Sequence, residues 1–313
     1  MRRGTSGISC LLAIDKPLGL SSHDVVNRVR RILGERRVGH AGTLDPAASG
    51  VLVVGVGQAT RLLGMLTLDD KRYEARISFG TETSTDDAEG EVTRTADVPS
   101  RLSDPAVAAA VVASLVGPCD QVPPAYSAIS VDGRRAYDRA RSGERVELPV
   151  RHVTIHEASL EDIDTTDGLV WTCSLHVSKG AYVRSIARDL GRSMGTAAHL
   201  CGLRRISSGP IGQGECLTLD ELEHMSIPEV LARALDPADA LSLPLRPLSE
   251  ADLADVRCGR TVALGDVASA GALGQGDRVC MVRDGRLHGV WELRGRRLAS
   301  VATFPDGIAG VRQ

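Results

Sequence analysis

The sequence predicts an α+β protein in which strands and helices follow one another irregularly. Apolar residues make up 42% of the chain and charged residues 25%, as in ordinary globular proteins. Over residues 1–240, strand and helix patterns show no regular strand–helix–strand rhythm, whereas the end of the chain holds only short strand patterns between glycine turns. These observations favour a mixed sheet over a doubly wound parallel sheet.

Elements in the first half of the chain follow from apolar spacing and turn residues. Continuous apolar runs predict buried strands, helical spacing predicts helices, and strict alternation predicts a half-buried strand. In chain order these elements are a strand at 11–14, a turn at 16–19, a helix with apolar positions at 25–33 that Ser21 and Ser22 can cap and Gly34 ends, a strand at 51–56, a short helix at 59–66, an alternating strand at 71–79, a polar acidic loop at 81–91, a helix that starts at Asp104-Pro105 and ends at Gly117, a strand at 126–131, a hairpin turn at Asp132-Gly133, and a short helix at 136–141.

The second half is interpreted in the same way. Its predicted elements are strands at 150–159 and 169–177 around a turn at 161–168, a helix at 182–193, a strand at 203–206, helical pieces at 218–225 and 228–236, and short strands at 278–283, 287–293 and 297–302. Three prolines at 237, 244 and 247 mark a boundary before the last strands. We therefore predict two domains, at 1–243 and 244–313, which a chain of 313 residues can accommodate.

Composition excludes several classes of protein. Seven scattered cysteines without a Cys-x-x-Cys pair argue against a disulfide framework or a zinc site, and the eight histidines show no ligand spacing. No metal is therefore expected. No apolar run is long enough to span a membrane, and the apolar piece at 8–14 is too short for a signal peptide. A cytoplasmic monomer is the expectation.

Local charge points to a polyanionic partner although the formal net charge is only −3. Residues 1–40 hold eight Lys or Arg against three acids, and residues 179–205 hold six against one. Such clusters are typical of a basic groove for nucleic acid, although solvated faces are a common alternative.

The segment at 39–52, GHAGTLDPAASGVL, carries one carboxylate, Asp45, among small residues. Pro46 disfavours helical backbone at Asp45, and the glycines allow another molecule to come close. An isolated acid on such a loop could act as a nucleophile, which requires a nearby cation to keep it ionised. From these residues alone, an ordinary turn with a solvated aspartate is the favoured interpretation.

Candidate partners lie further along the chain. Arg184 follows Tyr182 by two residues, and each of the four tyrosines, Tyr73, Tyr126, Tyr137 and Tyr182, has a cation nearby in sequence. An aromatic ring beside a cation suits a stacked base and its phosphate. Core packing of Tyr73 and a helix-surface position for Arg184 are the alternatives.

Seven blocks in order resemble the TruB family of tRNA pseudouridine synthases, over residues 11–210. They are LLAIDKPLGLSSHDVV (11–26), GHAGTLDPAASGVL (39–52), KRYEA (71–75), PPAYSAIS (123–130), GRRAYDRARSGE (133–144), SKGAYVRSIARDLG (178–191) and CGLRRISSG (201–209).

The resemblance implies a pseudouridine synthase fold, with a central mixed, mostly antiparallel sheet flanked by helices and a small β-rich PUA-like domain at the C-terminal end. It also implies isomerisation of uridine-55 in the T loop of tRNA, with base flipping and without cofactor or metal. The partner would be the T arm of tRNA. It assigns three catalytic residues: Asp45 as the catalytic aspartate, Arg184 as its partner, and Tyr73 as the ring that stacks on uracil and as a candidate for removing a proton during the rearrangement. Tyr182 and Leu203 would line the pocket, and His40 would enter the opened T loop. Gly42 and Thr43 of the aspartate loop and Lys179 of the second basic cluster complete the predicted substrate-binding residues, and Lys16-Pro17 has a structural role.

Two other functions fit parts of this pattern. The first is an RNA-folding protein that opens and refolds the tRNA elbow, with catalysis secondary or lost. The second is a synthase of the same fold that acts on ribosomal RNA, which the aspartate loop and the KRYEA strand disfavour.

Overall fold

The computed structural model describes residues 6–67, 69–127, 130–131, 134–135, 148–265, 267 and 273–312. The chain forms two compact units. The first unit contains residues 1–46, 50–68 and 207–313, and the second contains 47–49 and 69–206. Among the described residues, no helix combines the length and the apolar character that crossing a membrane requires.

The elements have the following bounds. The strands are β1 (Cys10–Lys16), β2 (Val38–Ala41), β3 (Ala48–Val56), β4 (Lys71–Phe79), β5 (Thr81–Thr83), β6 (Val92–Thr95), β7 (Gly117–Gln121), β8 (Ser130–Val131), β9 (Arg134–Arg135), β10 (Arg151–Asp164), β11 (Val170–Val177), β12 (Ala198–Ser208), β13 (Ile211–Gly212), β14 (Cys216–Leu217), β15 (Leu245–Pro247), β16 (Val262–Ala263), β17 (Arg278–Arg283), β18 (Arg286–Arg294) and β19 (Arg297–Ala309). The α-helices are α1 (Ser22–Leu33), α2 (Leu63–Leu66), α3 (Pro105–Ala113), α4 (Val183–Ser193), α5 (Leu219–His224), α6 (Ile227–Ala232), α7 (Pro237–Leu241) and α8 (Glu250–Arg257), and short 3-10 helices lie at Gly57–Arg61, Ser100–Ser103 and Gln213–Glu215.

In the first unit, β1 pairs antiparallel with β3 and parallel with β14, and β2 pairs antiparallel with β3. The apolar run of β3 is buried on both faces, because Leu52 and Val54 belong to one core cluster and Val51 and Val53 to another. A strand covered on both sides has a continuous apolar sequence rather than an alternating one. The prediction of a buried strand at 51–56 is confirmed.

Helix α1 packs its apolar stripe against this sheet, with Val25 and Val29 completely buried. Ser21 is its N-cap and forms a capping box with Asp24, and Gly34 ends it with a φ of 59°. A residue without a side chain adopts that left-handed backbone conformation at no steric cost. The predicted helix and both of its ends are confirmed.

The five strands near the C-terminal end form a sheet in the order β15-β17-β18-β19-β16. One face, through Val290 and Phe304, shares a core with Leu11 and Val53. The opposite face packs on α8 around Trp291. The β-rich C-terminal region is confirmed, whereas the division into domains at 243/244 stays a prediction.

In the second unit the strands lie in the order β12-β4-β11-β10-β7, and the three pairs from β4 to β7 are antiparallel. Strand β4 alternates as predicted, with Tyr73, Ile77 and Phe79 buried. Trp171 of β11 is buried against Phe79, with ring centroids 4.6 Å apart. The expected mixed, mostly antiparallel sheet flanked by helices is confirmed by these antiparallel pairings together with the parallel pairing of β1 with β14.

The predicted strand at 126–131 is wrong over its first residues, since Tyr126 and Ser127 lie in a bend and pairing starts at Ser130. The carbonyl oxygens of Val122 and Tyr126 accept hydrogen bonds from side chains of α4 instead. Prolines 123 and 124 also have no N–H group for a strand ladder. Pairing of β8 with β9 confirms the hairpin, while its turn at 132–133, the predicted helix at 136–141 and Tyr137 lie outside the described residues.

Several pairings were not predicted. Strands β2 and β7 fall where a loop and a helix end were expected, and β5 pairs with β6 across the predicted acidic loop. Strand β10 continues to Asp164 through two register shifts, so it covers part of the predicted turn at 161–168. Each of these segments is short or lacks a regular apolar pattern, so its strand conformation depends on pairing with a neighbouring strand.

Candidate active site

The predicted site residues lie on three segments. His40, Gly42, Thr43 and Asp45 belong to the first unit, on β2 and the loop after it. Tyr73 lies near the start of β4 in the second unit. Lys179, Tyr182, Arg184 and Leu203 lie around α4 and on β12 of the second unit.

The loop that carries Asp45 is anchored on both sides of the carboxylate. The backbone N–H of Leu44 donates to the Ser22 hydroxyl at 2.8 Å, and that hydroxyl donates to the Leu44 carbonyl at 2.9 Å. The N–H of Gly19 donates to the carbonyl of Pro46 at 2.9 Å. Asp45 itself is half-buried between these two fixed neighbours.

The residues before Asp45 and the turn at 16–19 complete this part of the site. Gly42 has a φ of 77°, in the left-handed region that favours glycine, and Thr43 is exposed. His40 lies opposite Val54 in the ladder of β2 with β3. Lys16 is completely buried, and its ammonium donates to the carbonyl of Pro17 at 2.9 Å and to that of Leu20 at 2.5 Å. The lysine therefore orders the turn whose Gly19 holds Pro46, as its predicted structural role requires.

Tyr73 is 8% exposed and pairs with Leu175 of β11. Two residues before it, Lys71 is also buried, and its ammonium donates to the carbonyl of Asp69. Burial lowers the pKa of Lys71, and the nearby positive charge of Arg205 lowers it further. The beginning of β4 thus combines an aromatic ring with desolvated positive charge.

The opposite face of β4 carries an ion pair that spans three strands. The Arg72 guanidinium donates to both carboxylate oxygens of Glu157, at 2.6 and 2.8 Å, across His176 of β11. This bidentate hydrogen bond lowers the pKa of Glu157 to about 2. The pair links β4, on which Tyr73 lies, to β10 across β11.

We expect Glu157→Gln to remove a pH-dependent part of the free energy of unfolding. The carboxyl pKa is about 2 in the folded chain and about 4.3 in an unfolded one. A carboxyl group whose pKa is lower in the folded chain than in the unfolded chain contributes its full stabilisation at pH values above the unfolded pKa. That contribution is lost as the pH falls through the folded pKa. The free energies of unfolding of the two proteins, measured in urea, should therefore differ fully above about pH 5, approach each other as the pH falls, and converge only below about pH 2. A difference that is the same at every pH would contradict the role of this pair.

Helix α4 begins at a backbone fixed by one buried side chain. The Tyr182 N–H donates to Gln121 Oε1 at 2.7 Å, and Gln121 Nε2 donates to the Tyr182 carbonyl at 3.0 Å. Gln121 is only 2% exposed. Tyr182 is the N-cap of α4, so the glutamine fixes the residue from which the helix starts.

We expect Gln121→Met to destabilise the second unit by about 1–3 kcal/mol, because it removes both hydrogen bonds that Gln121 makes with the Tyr182 backbone while nearly preserving side-chain volume. The Tyr182 carbonyl keeps the hydrogen bond from the N–H of Ile186, so the loss falls mainly on the Tyr182 N–H. The rate of hydrogen exchange at the Tyr182 amide should rise by the factor that corresponds to this free energy. The exposed Gln213 provides a matched control, since Gln213→Met removes no such buried bond. Equal stability of the two variants would contradict the role assigned to Gln121.

Arg184 lies in the first turn of α4 and is 6% exposed. Its guanidinium donates to the carbonyls of Thr85 and Tyr126, each at 2.9 Å, and lies 3.4 Å from the Asp87 carboxylate. These groups fix the plane of the guanidinium within the second unit. The alternative of a helix-surface charge is excluded by this burial.

Arg184 is the first of three arginines that recur every four residues on α4. Arg188 bonds Asp86 at 2.6 Å, and Arg192 bonds Glu82 at 2.6 and 3.0 Å. Hydrogen bonds from Arg192, the largest cause, and from Arg94 lower the pKa of Glu82, whereas burial raises the pKa of Asp86. The predicted acidic loop therefore neutralises one face of the helix.

This ladder corrects the interpretation of 179–205 as an open basic cluster. Arg188 and Arg192 bind carboxylates of their own unit, and Arg205 is only 1% exposed. Lys179 is exposed in the turn before α4, and Leu203 is half-buried on β12, the neighbour of β4. Lys179 is thus an exposed cation of this segment, unlike Arg188 and Arg205.

Three supporting features were missed by the sequence analysis. Arginines at every fourth position of a helix and a run of acids elsewhere are a signal that could have predicted the ladder. Gln121 and the distinct role of Ser22 gave no signal, because their hydrogen bonds join residues far apart in the chain. Among the described residues, no group of three His, Cys, Asp or Glu side chains is arranged to hold a metal ion, and the seven cysteines form no disulfide.

Comparison with known proteins gives consistent matches. The family model described as "TruB family pseudouridylate synthase (N terminal domain)" matches residues 30–183, and the model "tRNA pseudouridylate synthase B C-terminal domain" matches residues 184–242. The chain is similar to tRNA pseudouridine synthase B of Thermobifida fusca, with 48% identity over 81% of this chain and 86% of that protein. It is 45% identical to tRNA pseudouridine synthase B of Mycobacteroides abscessus, over 94% of this chain and 95% of that protein.

Solved structures support the fold. The crystal structure of a Cbf5-Nop10-Gar1 complex contains a chain with a TM-score of 0.69 and 23% identity, which covers 98% of this chain and 88% of its own length. The archaeal box H/ACA sRNP Nop10-Cbf5 complex gives a TM-score of 0.67 at 22% identity, over 97% of this chain and 88% of that chain. The predicted pseudouridine synthase fold, with a β-rich C-terminal region consistent with a PUA-like sheet, is confirmed.

Proposed function

We propose, from the premise that this chain belongs to the TruB family of pseudouridine synthases, that it converts uridine-55 in the T loop of tRNA to pseudouridine. The observation that carries the proposal is that the family match runs from residue 30 to residue 242 and includes Asp45, Tyr73 and Arg184. Relatives at 45–48% identity are named as tRNA enzymes, which favours tRNA over ribosomal RNA as the substrate.

The reaction breaks the bond between N1 of uracil and C1′ of the ribose and forms a bond between C5 and C1′. The base must turn between these steps, N1 gains a proton and C5 loses one, so product and substrate have the same atoms. No electron acceptor or donor is required, in keeping with the expectation of no cofactor. A base stacked in a folded T loop cannot turn, so it must leave the stack, at a cost of a few kcal/mol.

Asp45 would act as the nucleophile, either at C1′ or at C6 of uracil, or it would assist removal of the C2′ proton. The anchored backbone on both sides of it supports this role, because a reacting group must be held close to its productive geometry. Arg184 would pair with Asp45 in the working enzyme and keep it ionised. Its fixed guanidinium plane makes it suitable for that pairing.

The other residues would hold the RNA. The Tyr73 ring would stack on the flipped uracil, with Tyr182 and Leu203 lining the same pocket. His40 would enter the opened T loop, Gly42 and Thr43 would let the RNA backbone approach the aspartate loop, and Lys179 would bind phosphate. Phosphate contacts of this kind predict binding that weakens with salt.

The proposal is tested with an unmodified tRNA transcript incubated with the protein in EDTA. The expected product has one pseudouridine, at position 55, formed without added metal or cofactor. A transcript with cytidine at that position is the matched control and should stay unmodified. Pseudouridine at another position, or formation that depends on metal, would contradict the proposal.

A further inference from the structure

The residues from Gly19 to Ser22, at the start of α1, form hydrogen bonds with the loop that carries Asp45. Two adjacent serines at the start of the helix have different partners. Ser21 caps α1 through a reciprocal capping box with Asp24. Ser22 instead bonds both backbone groups of Leu44, the residue directly before Asp45.

We propose that Ser22 is a positioning residue that fixes the backbone of Asp45 for the reaction, an inference that rests on the proposed function. A hydroxyl can donate one hydrogen bond and accept others, so one side chain can hold both an N–H and a carbonyl. The two bonds, at 2.8 and 2.9 Å, restrain rotation of the Leu44 backbone. On the other side of Asp45, the N–H of Gly19 donates one hydrogen bond to the carbonyl of Pro46.

Burial makes this contact hard to replace. Ser22 is 2% exposed and Leu44 3% exposed, so water has little access to the backbone groups when the hydroxyl is removed. The serine also lies at the first position of α1, a helix whose Val25 and Val29 are fully buried in the first unit's core. Ser22 therefore attaches the aspartate loop to a helix that is itself held in the core.

Removal of the hydroxyl is expected to affect catalysis more than RNA binding. Asp45 would reach its reacting geometry less often, and a displacement of about 1 Å can slow an enzyme by about a hundredfold. For Ser22→Ala we expect turnover at saturating T-arm RNA to fall by about 10- to 100-fold. The KM for RNA should change by no more than about twofold, since the proposed RNA-binding groups are untouched.

The test compares Ser22→Ala with Ser21→Ala. The control removes a hydroxyl from the adjacent residue and weakens the same helix, but it leaves the bonds to Leu44 in place. Amide exchange of Leu44 is measured in parallel, and should accelerate in both Ser22 variants but not in Ser21→Ala. Ser22→Cys, which keeps the side-chain volume but bonds weakly, should fall between wild type and Ser22→Ala and serves if the alanine variant does not fold.

A turnover within about twofold of wild type in the folded Ser22 variants would overturn the inference, and so would an equal loss in Ser21→Ala. Unchanged exchange at Leu44 in Ser22→Ala or Ser22→Cys would also overturn it. Failure of the wild-type protein to form pseudouridine would instead overturn the proposed function, while the exchange measurement still decides whether Ser22 holds the loop.

Discussion

Replacing Asp45 by asparagine is expected to abolish pseudouridine formation, with a loss of rate on the order of 10⁴-fold or more. Asparagine has nearly the same shape, and the anchors on Leu44 and Pro46 act on the backbone, so the loop should stay in place. The amide lacks the negative charge that makes the carboxylate a nucleophile. RNA binding should change little, since binding depends mainly on cations and stacked rings.

The measurement is single-turnover conversion of T-arm RNA, together with a binding titration. Asp239→Asn makes the same chemical change at an exposed position and should behave as wild type. Measurable product from Asp45→Asn at near wild-type rate would exclude Asp45 as the nucleophile. Equal complementation of a deletion strain by wild type and by Asp45→Asn would favour the RNA-folding function instead.

Replacing Arg184 by lysine is expected to slow the reaction by about 10²- to 10³-fold, even though the positive charge is kept. The guanidinium donates to Thr85 and Tyr126 on two sides and lies beside Asp87. A lysine ammonium is a compact charge that cannot span these acceptors and also present a flat face to a carboxylate. The loss should appear mainly in turnover at saturating RNA.

Arg192→Lys is the matched control for this prediction. Arg192 lies two turns further along α4, bonds Glu82, and has a side chain that is 55% exposed. We expect this variant to keep turnover within about threefold of wild type, because lysine keeps the positive charge beside Glu82 and the Arg192 side chain is already half exposed to solvent. Similar losses in the two variants would mean that the arginines act only by stabilising the helix.

Secondary structure was predictable from sequence where one face of an element is buried. Helix α1 and strands β4 and β11 follow their hydrophobic periodicity because packing and pattern agree. The segment at 122–127 was not predictable, since its carbonyl groups bond side chains of α4 from distant sequence. Local propensity cannot anticipate such long-range partners.

The same distinction applies to the candidate site. Asp45 stood out because it is an isolated acid in a loop of small residues. Tyr73 and Arg184 were candidates from the residues alone, and the resemblance assigned their roles. The supporting groups did not stand out. Ser21 and Ser22 are equivalent in sequence as helix caps, yet the fold assigns one to the helix and the other to the aspartate loop. Gln121 likewise acquires its role only through its contact with Tyr182.

The central claim is that this protein isomerises one uridine of the tRNA T loop. The most direct measurement uses a T-arm stem-loop with a single radiolabelled uridine at the position equivalent to 55, incubated with the wild-type protein and digested to nucleotides. We predict that all of the label moves to pseudouridine. Label that stays in uridine, while the same RNA binds the protein, would contradict the claim.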